Sequence, residues 1–232
     1  MTHLIVECDQ QDSDWCGADG LLTRACDLEP EKAEGLQLVL LRGSPESVPQ
    51  WAGAANVHWL VEQGLDAAAR LRDLYPGERF LPAVTATRPS THFTMGQHYT
   101  GDGFSYYVPD MTTYRTYRID DGDVYLSDWL ERVSSLGFDT VLFNTPDAKA
   151  DAKGFDLDLL EKAKRLFQGR IILSGEGAGE PVHFERLKEQ GCCFAALLPQ
   201  AVAARLNLQE IVKILVPPAE GASPQESEGA AA

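Results

Sequence analysis

The fold is decided by residues 138–184, which read FDTVLFNTPDAKADAKGFDLDLLEKAKRLFQGRIILSGEGAGEPVHF. The run DTVLF near its start is apolar and β-branched, which is typical of a buried strand. Asp156 predicts the N-cap of a helix that extends to residue 167, and residues 170–173 predict a second buried strand. A glycine-rich turn at residues 174–179 follows, and the next residues open another helix. This order of elements predicts parallel strands joined by right-handed crossovers.

The flanking sequence repeats this alternation of strands and helices. Apolar runs predict further strands at residues 3–8, 36–41, 57–61, 80–84 and 194–198. Residues 10–34 are polar, acidic and poorly periodic, so we predict a long loop there with at most one weak helix near residues 30–34. The chain is therefore predicted to be an α/β protein whose functional loops follow the strands.

One stretch, residues 89–125, breaks the alternation. It is rich in aromatic residues and threonine, has no helical period, and carries turn signals at residues 100–103 and 120–123. These features predict an insertion of one or two β-hairpins at the same end of the fold as the glycine-rich turn. We expect residues 1–216 to form a single domain that includes this insertion, and the low-complexity residues 217–232 to be a disordered tail.

Composition excludes several classes of protein. The net charge of −15 disfavours nucleic acid and anionic membranes as partners. No apolar run has membrane-spanning length and the N-terminus lacks a leader pattern, so we expect a cytoplasmic protein. The five cysteines have neither zinc-ribbon nor redox spacing and are interpreted as buried free thiols. His92, His98 and Asp102 lack metal-ligand spacing, so we expect no metal site and no cofactor.

From about residue 117 to residue 215 the chain resembles the C-terminal half of the histidine-biosynthesis phosphoribosyl barrels. These are the cyclase subunit of imidazole glycerol phosphate synthase, which is the closer of the two, and the phosphoribosylformimino-AICAR ribotide isomerase. The resemblance implies a TIM-type (β/α)8 barrel of two similar half-barrels, each binding one phosphate of a bis-phosphate substrate. The matching residues are Leu126-Ser127-Asp128-Trp129, Gly154-Phe155-Asp156, Ile171-Ile172-Leu173-Ser174-Gly175, Gly177-Ala178-Gly179, His183-Phe184 and Ala195-Ala196-Leu197.

The N-terminal half matches this family less well. Four βα units are needed before the strand at residues 80–84, but only three strands are predicted there. One unit is absent, or is reduced to residues 10–34. We therefore expect a barrel that is reduced in its N-terminal half, with a β-hairpin insertion after the fifth-strand position. Either the barrel is imperfect or a partner surface covers the gap.

The resemblance also implies where the catalytic groups stand. The family uses two aspartates, at the ends of the first and fifth strands, as general acid and base. Asp9 fits the first position, whereas the second falls on Thr85, whose hydroxyl cannot serve as a carboxylate base. Asp147 is the acid that remains in the loop after the sixth strand. One of the two catalytic groups is therefore missing at its expected position.

Phosphate binding needs backbone N–H groups that converge on the ligand. Glu176 adds a negative charge to the candidate turn, and Pro199 lacks an N–H where the family donates one. The turn is also consistent with a purely structural role in a tight, closely packed connection. The candidate phosphate-binding residues are Ser174, Gly175, Gly177, Ala178, Gly179 and Gln200.

Two hypotheses for function follow. The first is a non-catalytic, accessory barrel that binds a protein partner or a second copy of itself through residues 91–125. Its candidate interface residues are Tyr99, Tyr106, Tyr107 and Tyr114, although cross-strand pairing within a hairpin also explains such tyrosines. The second is a lyase or isomerase that acts on a small phosphorylated compound, with Asp9 as the acid or base.

Overall fold

A computed structural model describes most of the chain. For residues 95–99 and 105–109 it describes the backbone alone. The described residues are 2–8, 18–33, 35–88, 95–99, 105–109, 117–121, 124–151, 153–191 and 193–215.

The strands are short and mostly buried. They are β1 (His3–Glu7), β2 (Gly20–Arg24), β3 (Leu38–Arg42), β4 (Val57–Val61), β5 (Phe80–Thr87), β6 (Met95–Tyr99), β7 (Ser105–Pro109), β8 (Arg118–Ile119), β9 (Val124–Tyr125), β10 (Thr140–Asn144), β11 (Arg170–Ser174) and β12 (Ala195–Leu198).

The helices differ in length between the two halves of the chain. They are α1 (Pro30–Ala33), a 3-10 helix (Pro45–Trp51), α2 (Leu65–Leu74), α3 (Leu126–Ser135), α4 (Pro146–Ala150), α5 (Leu157–Leu166), α6 (Pro181–Glu189), α7 (Gln200–Ala203) and α8 (Leu208–Leu215).

Eight parallel strands close into a barrel. Their order around the ring is β1-β2-β3-β4-β5-β10-β11-β12. The ring closes where β12 pairs with β1, with Leu197 beside Ile5. On the other side β5 pairs with β10, with Ala83 beside Leu142. The predicted TIM-type (β/α)8 fold is therefore confirmed, and the remaining strands lie outside the ring.

The central unit has the predicted order of elements. Strands β10 and β11 are parallel and flank helix α5 in sequence, as the apolar pattern indicates. The Asp156 carboxylate accepts a hydrogen bond from the Leu159 N–H at 3.1 Å, which is the predicted N-cap. Pro181 is the first residue of α6, where a missing N–H leaves no helical bond unmade.

The βα unit in question is present in reduced form within residues 10–34, so the second of the two alternatives is confirmed, whereas the count of only three strands was wrong. Residues 20–24, which were assigned to a loop, form β2 between β1 and β3. Leu21 and Leu22 are fully buried, but a run this short gives no recognisable period. A Cβ atom on Gly20 would lie 2.5 Å from the Leu38 carbonyl oxygen, so only glycine permits this strand to approach β3.

Closure of the ring also removes the open sheet edge that a missing unit implied. Among the described residues of the N-terminal half, it is the helical layer that is reduced. Helix α1 has four residues, and the connection after β3 is a 3-10 helix rather than an α-helix. The predicted weak helix near residues 30–34 is confirmed by α1.

The core has two parts, as expected for a barrel. One lies between the strands and the helices and contains the largest buried side chains, such as Trp129, Phe143 and Phe184. The other fills the barrel interior with branched and small side chains. Its members are Ile5, Leu22, Leu38, Leu40, Leu60, Leu81, Ala83, Leu142, Ile172, Ala195 and Leu197.

The insertion contains the hairpin structure that its turn signals predict. Strands β6 and β7 are antiparallel, with His98 beside Tyr106. The short strand β8 pairs with the end of β5, and β9 pairs with β8. The side chains of Tyr99, Tyr106 and Tyr107 lie outside the described part of the structure, as do Tyr114 and the tail 217–232.

His58 adds a titratable group to the barrel wall. It lies on β4 beside the interior residue Leu40, and only 5% of its surface is exposed. Burial lowers the pKa of His58 to about 4, and the charge of Arg79 contributes in the same direction. The imidazole is therefore neutral in the folded protein at pH 7.

We predict that His58 makes the barrel acid-sensitive. The unfolded chain takes up a proton on this residue near pH 6.5, whereas the folded chain does so only near pH 4. The free energy of unfolding is therefore unaffected by His58 above pH 6.5. It falls by about 3 kcal/mol as the pH decreases from 6.5 towards 4. Urea unfolding from pH 7 to pH 4.5 should show a shallower pH dependence in His58→Leu and His58→Gln than in the wild type. Parallel pH curves for all three proteins would contradict the prediction.

Candidate functional site

The carboxyl ends of the parallel strands form the mouth of the barrel. Side chains alternate along each strand, so the position two residues after an interior residue also faces the barrel axis. At the mouth these last inward positions are polar on seven of the eight strands: Glu7, Arg24, Arg42, Glu62, Thr85, Asn144 and Ser174.

Three of these residues form an ion cluster across the N-terminal half of the mouth. The Arg42 guanidinium contacts the Glu7 carboxylate and donates from Nε to Glu62 at 3.2 Å. Burial acts to lower the pKa of Arg42, but Glu7 and Glu62 outweigh it and raise that pKa above its usual range. Two carboxylates share one cation, so the cluster carries a net negative charge.

This cluster was not predicted from the sequence, because the end of the first strand was assigned to Asp9, which lies outside the described residues. The alternation of side chains along β1 could have identified Glu7. Ile5 faces the barrel interior, so Glu7, two residues later, faces the same side. Arg42 and Glu62 end or follow strands in the same way, but their mutual contact depends on the closed ring.

Thr85 lies on the fifth barrel strand, as predicted, beside Asn144 of the sixth. A carboxylate nevertheless stands next to it. The Thr85 N–H donates to Asp120 Oδ1 at 2.9 Å, and the Asp120 N–H donates to the Thr85 carbonyl at 3.2 Å. Asp120 belongs to the turn between β8 and β9, where the insertion returns to the barrel. The sequence pattern predicts this aspartate only as part of a turn.

A cavity of about 280 Å³ opens at this side of the mouth. Asp121 has a structural role in its wall, because its Oδ2 accepts from the Leu65 N–H at 2.8 Å and from Trp129 Nε1 at 3.0 Å. These bonds cap helix α2 and fix the turn that carries Asp120. The cavity is lined by Glu62, Gln63, Gly64, Ala83, Val84, Asp120 and Asp121.

The third predicted catalytic residue, Asp147, lies in the first turn of α4. Its Oδ2 accepts from the backbone N–H of Arg88 at 2.6 Å. Arg88 directly follows β5 and precedes the insertion. Asp147 thus joins the loop after the sixth strand to the root of the insertion, a role that its position in the sequence did not indicate.

The glycine-rich turn uses its own N–H groups internally. The Gly175 N–H donates to Leu197 O at 2.8 Å, and the Ala178 N–H donates to Gly175 O at 3.0 Å. The Gly179 N–H donates to Gly177 O, also at 3.0 Å. Three of the donors proposed for a phosphate are therefore engaged within the protein, and this geometry favours the structural interpretation of the turn.

Close packing explains two of the glycines in this turn. A Cβ atom on Gly175 would lie 2.5 Å from the Phe155 ring. A Cβ atom on Gly177 would lie 2.5 Å from the Ala148 carbonyl oxygen, and Gly177 also forms an antiparallel bridge with Gly154. Both glycines are required by neighbouring protein atoms, whether or not a ligand binds.

The groups around the turn are also engaged. Glu176 forms an ion pair with Lys149 at 3.1 Å, and Ser174 accepts through its carbonyl from the Thr145 hydroxyl at 3.2 Å. At the start of α6, the Glu180 N–H donates to His183 Nδ1 at 3.3 Å, and burial lowers the pKa of His183. Gln200 is exposed at the first position of the four-residue helix α7.

The described ranges also bear on metal binding, membrane spanning and the state of the cysteines. Within them, no three His, Cys, Asp or Glu side chains are close enough together to hold a metal ion. No helix in the described part of the chain has the length and apolar content needed to cross a bilayer. Cys8 and Cys193 are buried and Cys26 is exposed, while Cys16 and Cys192 lie outside the described residues.

Comparison with known proteins gives one family. Residues 113–205 match the family described as "Histidine biosynthesis protein". The chain is 40% identical over 80 residues to imidazole glycerol phosphate synthase subunit HisF of Corynebacterium glutamicum (strain R), covering 34% of this chain and 25% of that protein. It is 39% identical over 69 residues to the same subunit of Solibacter usitatus, covering 30% and 27%. The matched part spans about a quarter of the length of these curated relatives.

We predict that the glycine-rich turn does not bind phosphate. Titration calorimetry at millimolar phosphate should give no saturable heat for the wild type, for Glu176→Gly or for the size-matched Glu176→Gln. Removing the negative charge leaves three N–H donors in their internal bonds, so it creates no anion site. Phosphate binding that is at least tenfold tighter in both variants than in the wild type would establish an anion site and contradict the structural interpretation.

Proposed function

We propose that this chain, a divergent member of the histidine-biosynthesis (β/α)8 barrel family, is an accessory subunit that does not perform the cyclisation or isomerisation of its relatives. The relatives are themselves named as subunits of a synthase. The fold of that family is retained here, so the proposal concerns the mouth and the insertion.

The observation that carries the proposal is the internal bonding of the glycine-rich turn. A phosphate held at this turn requires N–H groups that point to the ligand, and those of Gly175, Ala178 and Gly179 bond to carbonyl groups of the protein. Pro199 supplies no N–H from the next loop. This side of the barrel therefore offers a phosphate group fewer N–H donors than the family pattern implies.

The opposite side of the mouth is unfavourable to phosphate for an electrostatic reason. Glu7 and Glu62 both contact Arg42, which leaves the cluster negative before any ligand arrives. A phosphate group there would face two carboxylates and would compete for a cation that is already bonded. A bis-phosphate is thus disfavoured at both ends of the mouth.

The insertion is the proposed contact surface. Its hairpin, β6 and β7, pairs only with itself among the described strands, and it carries Tyr99, Tyr106 and Tyr107. Tyrosine is enriched at protein interfaces, and a two-stranded ribbon has edges that can pair with another chain. With the barrel closed, the interface proposal depends on the insertion alone.

We predict that the wild-type protein sediments as an oligomer or in a complex in cell extract. Replacing Tyr106, Tyr107 and Tyr114 by serine should release a monomer whose circular dichroism matches the wild type, because the ring does not include these residues. Leu74→Ser, which removes an exposed apolar side chain on α2, is the matched control and should leave association unchanged. A wild type that is monomeric both in extract and when pure at micromolar concentration would overturn the accessory role.

One observation favours an enzyme as the second candidate. Asp120 is bonded to the backbone of Thr85 and lines the cavity beside it. It comes from the insertion and lies next to Thr85, the position at which the resemblance implies a carboxylate. With Asp9 as the other group, this pair would suit proton transfer on a small phosphorylated compound held in a different way from that of the family.

We predict no turnover of the bis-phosphate substrates of histidine biosynthesis by the purified chain. Loss of a general acid or base at its working position typically lowers the rate by about 10²–10⁴-fold. Turnover of these substrates at ordinary enzyme rates that is abolished by Asp9→Asn and by Asp120→Asn would contradict the prediction and show that the activity of the relatives is retained. Asp128→Asn, on an exposed position of α3, is the control and should have no effect on any such activity.

A further inference from the structure

We infer that Arg88, Tyr117 and Asp156 form a hydrogen-bonded joint. It couples β8, the return strand of the insertion, to the loop after the sixth barrel strand, β10. The inference deepens the proposed function, on which it rests for its biological use, because it links a partner-binding insertion to the mouth. Its evidence is the bonding among described residues at the two roots of the insertion and does not depend on the hairpin itself.

Arg88 contacts both sides of the joint. Its Nε donates to the Tyr117 hydroxyl at 3.1 Å, and its Nη2 donates to Asp156 Oδ1 at 2.9 Å. Its backbone N–H donates to Asp147, which lies in the same loop as Asp156. One side chain thus links the end of β5, the residue that precedes β8 and the start of α5.

Asp156 is the buried carboxylate at the centre of these hydrogen bonds. Its side chain is 1% exposed, and its Oδ1 accepts from Arg88, from the Tyr117 hydroxyl at 2.7 Å and from the Leu159 N–H. Its Oδ2 is buried without a hydrogen-bond partner. A buried carboxylate that loses its counter-charge is strongly unfavourable, so the contact with Arg88 is needed to keep Asp156 in place.

Tyr117 is held through its ring as well as its hydroxyl. The Arg88 guanidinium lies 6.0 Å and the Lys162 ammonium 4.9 Å from the ring centroid. The residue is 2% exposed, and its pKa is raised by burial and by the hydrogen bond to Asp156. Tyr117 is therefore a fixed point from which the return strand starts.

The return strand carries any displacement of the joint to the mouth. Ile119 of β8 pairs with Ala86 of β5, and Asp120 follows directly and bonds to Thr85. A partner that pulls Tyr117 away from Asp156 would therefore disturb Asp120 at the cavity and the loop of Asp156 together. The same coupling acts in the reverse direction.

Hydrogen exchange of the purified full-length chain, followed by mass spectrometry, tests the joint. The two reporters are residues 117–126 and residues 146–160. In Arg88→Met both should exchange at least tenfold faster, and in Tyr117→Phe both should exchange severalfold faster, while β11 and β12 stay at the wild-type rate. Arg132→Met, which removes an exposed ion pair with Asp66, is the matched control and should alter neither reporter.

Acceleration of only one reporter, or of neither, in the two joint variants would overturn the coupling. If Arg88→Met exchanges faster throughout the barrel, the coupling is judged from Tyr117→Phe alone, since this variant removes only a hydroxyl and keeps the ring. The experiment needs no partner. A monomeric wild type in the sedimentation test would therefore contradict the accessory role without affecting the exchange result. Unchanged exchange in the joint variants would contradict the coupling without affecting the accessory role.

Discussion

The arrangement of the mouth depends on the pairing of one strand, β5, in two sheets. Its first part closes the ring between β4 and β10, and its last two residues pair antiparallel with β8. It has eight residues, whereas the other strands of the ring have four or five, and the extra length carries it beyond the barrel. The point at which it leaves the ring is Thr85, so the insertion begins and returns at the rim of the barrel mouth.

The glycine-rich turn illustrates how one motif can serve two purposes. Glycines let a backbone approach a phosphate, and they also let two protein segments approach each other. Here the second purpose accounts for Gly175 and Gly177, which contact Phe155 and Ala148, and for the N–H bonds that close the turn. Residue types and spacing are the same in both cases. Only the partners of the N–H groups distinguish a ligand site from a packed turn.

The sequence predicted local features well and distant contacts poorly, for a physical reason. The N-cap at Asp156, the strands around it and the hairpin of the insertion follow from periodicity and turn chemistry over a few residues. Strand β2 was missed because Leu21 and Leu22 are too few to establish a period.

The hydrogen bonds around the mouth join residues that are far apart in the chain. Asp120 is 35 residues from Thr85, and Asp156 is 68 residues from Arg88. No local pattern encodes these pairs. The contacts at this side of the mouth share one origin, because Thr85 and Arg88 lie at the outgoing root of the insertion and Tyr117 and Asp120 at its return. A single segment therefore supplies the Asp120 carboxylate beside Thr85, the Tyr117 side chain of the inferred joint and the proposed contact surface.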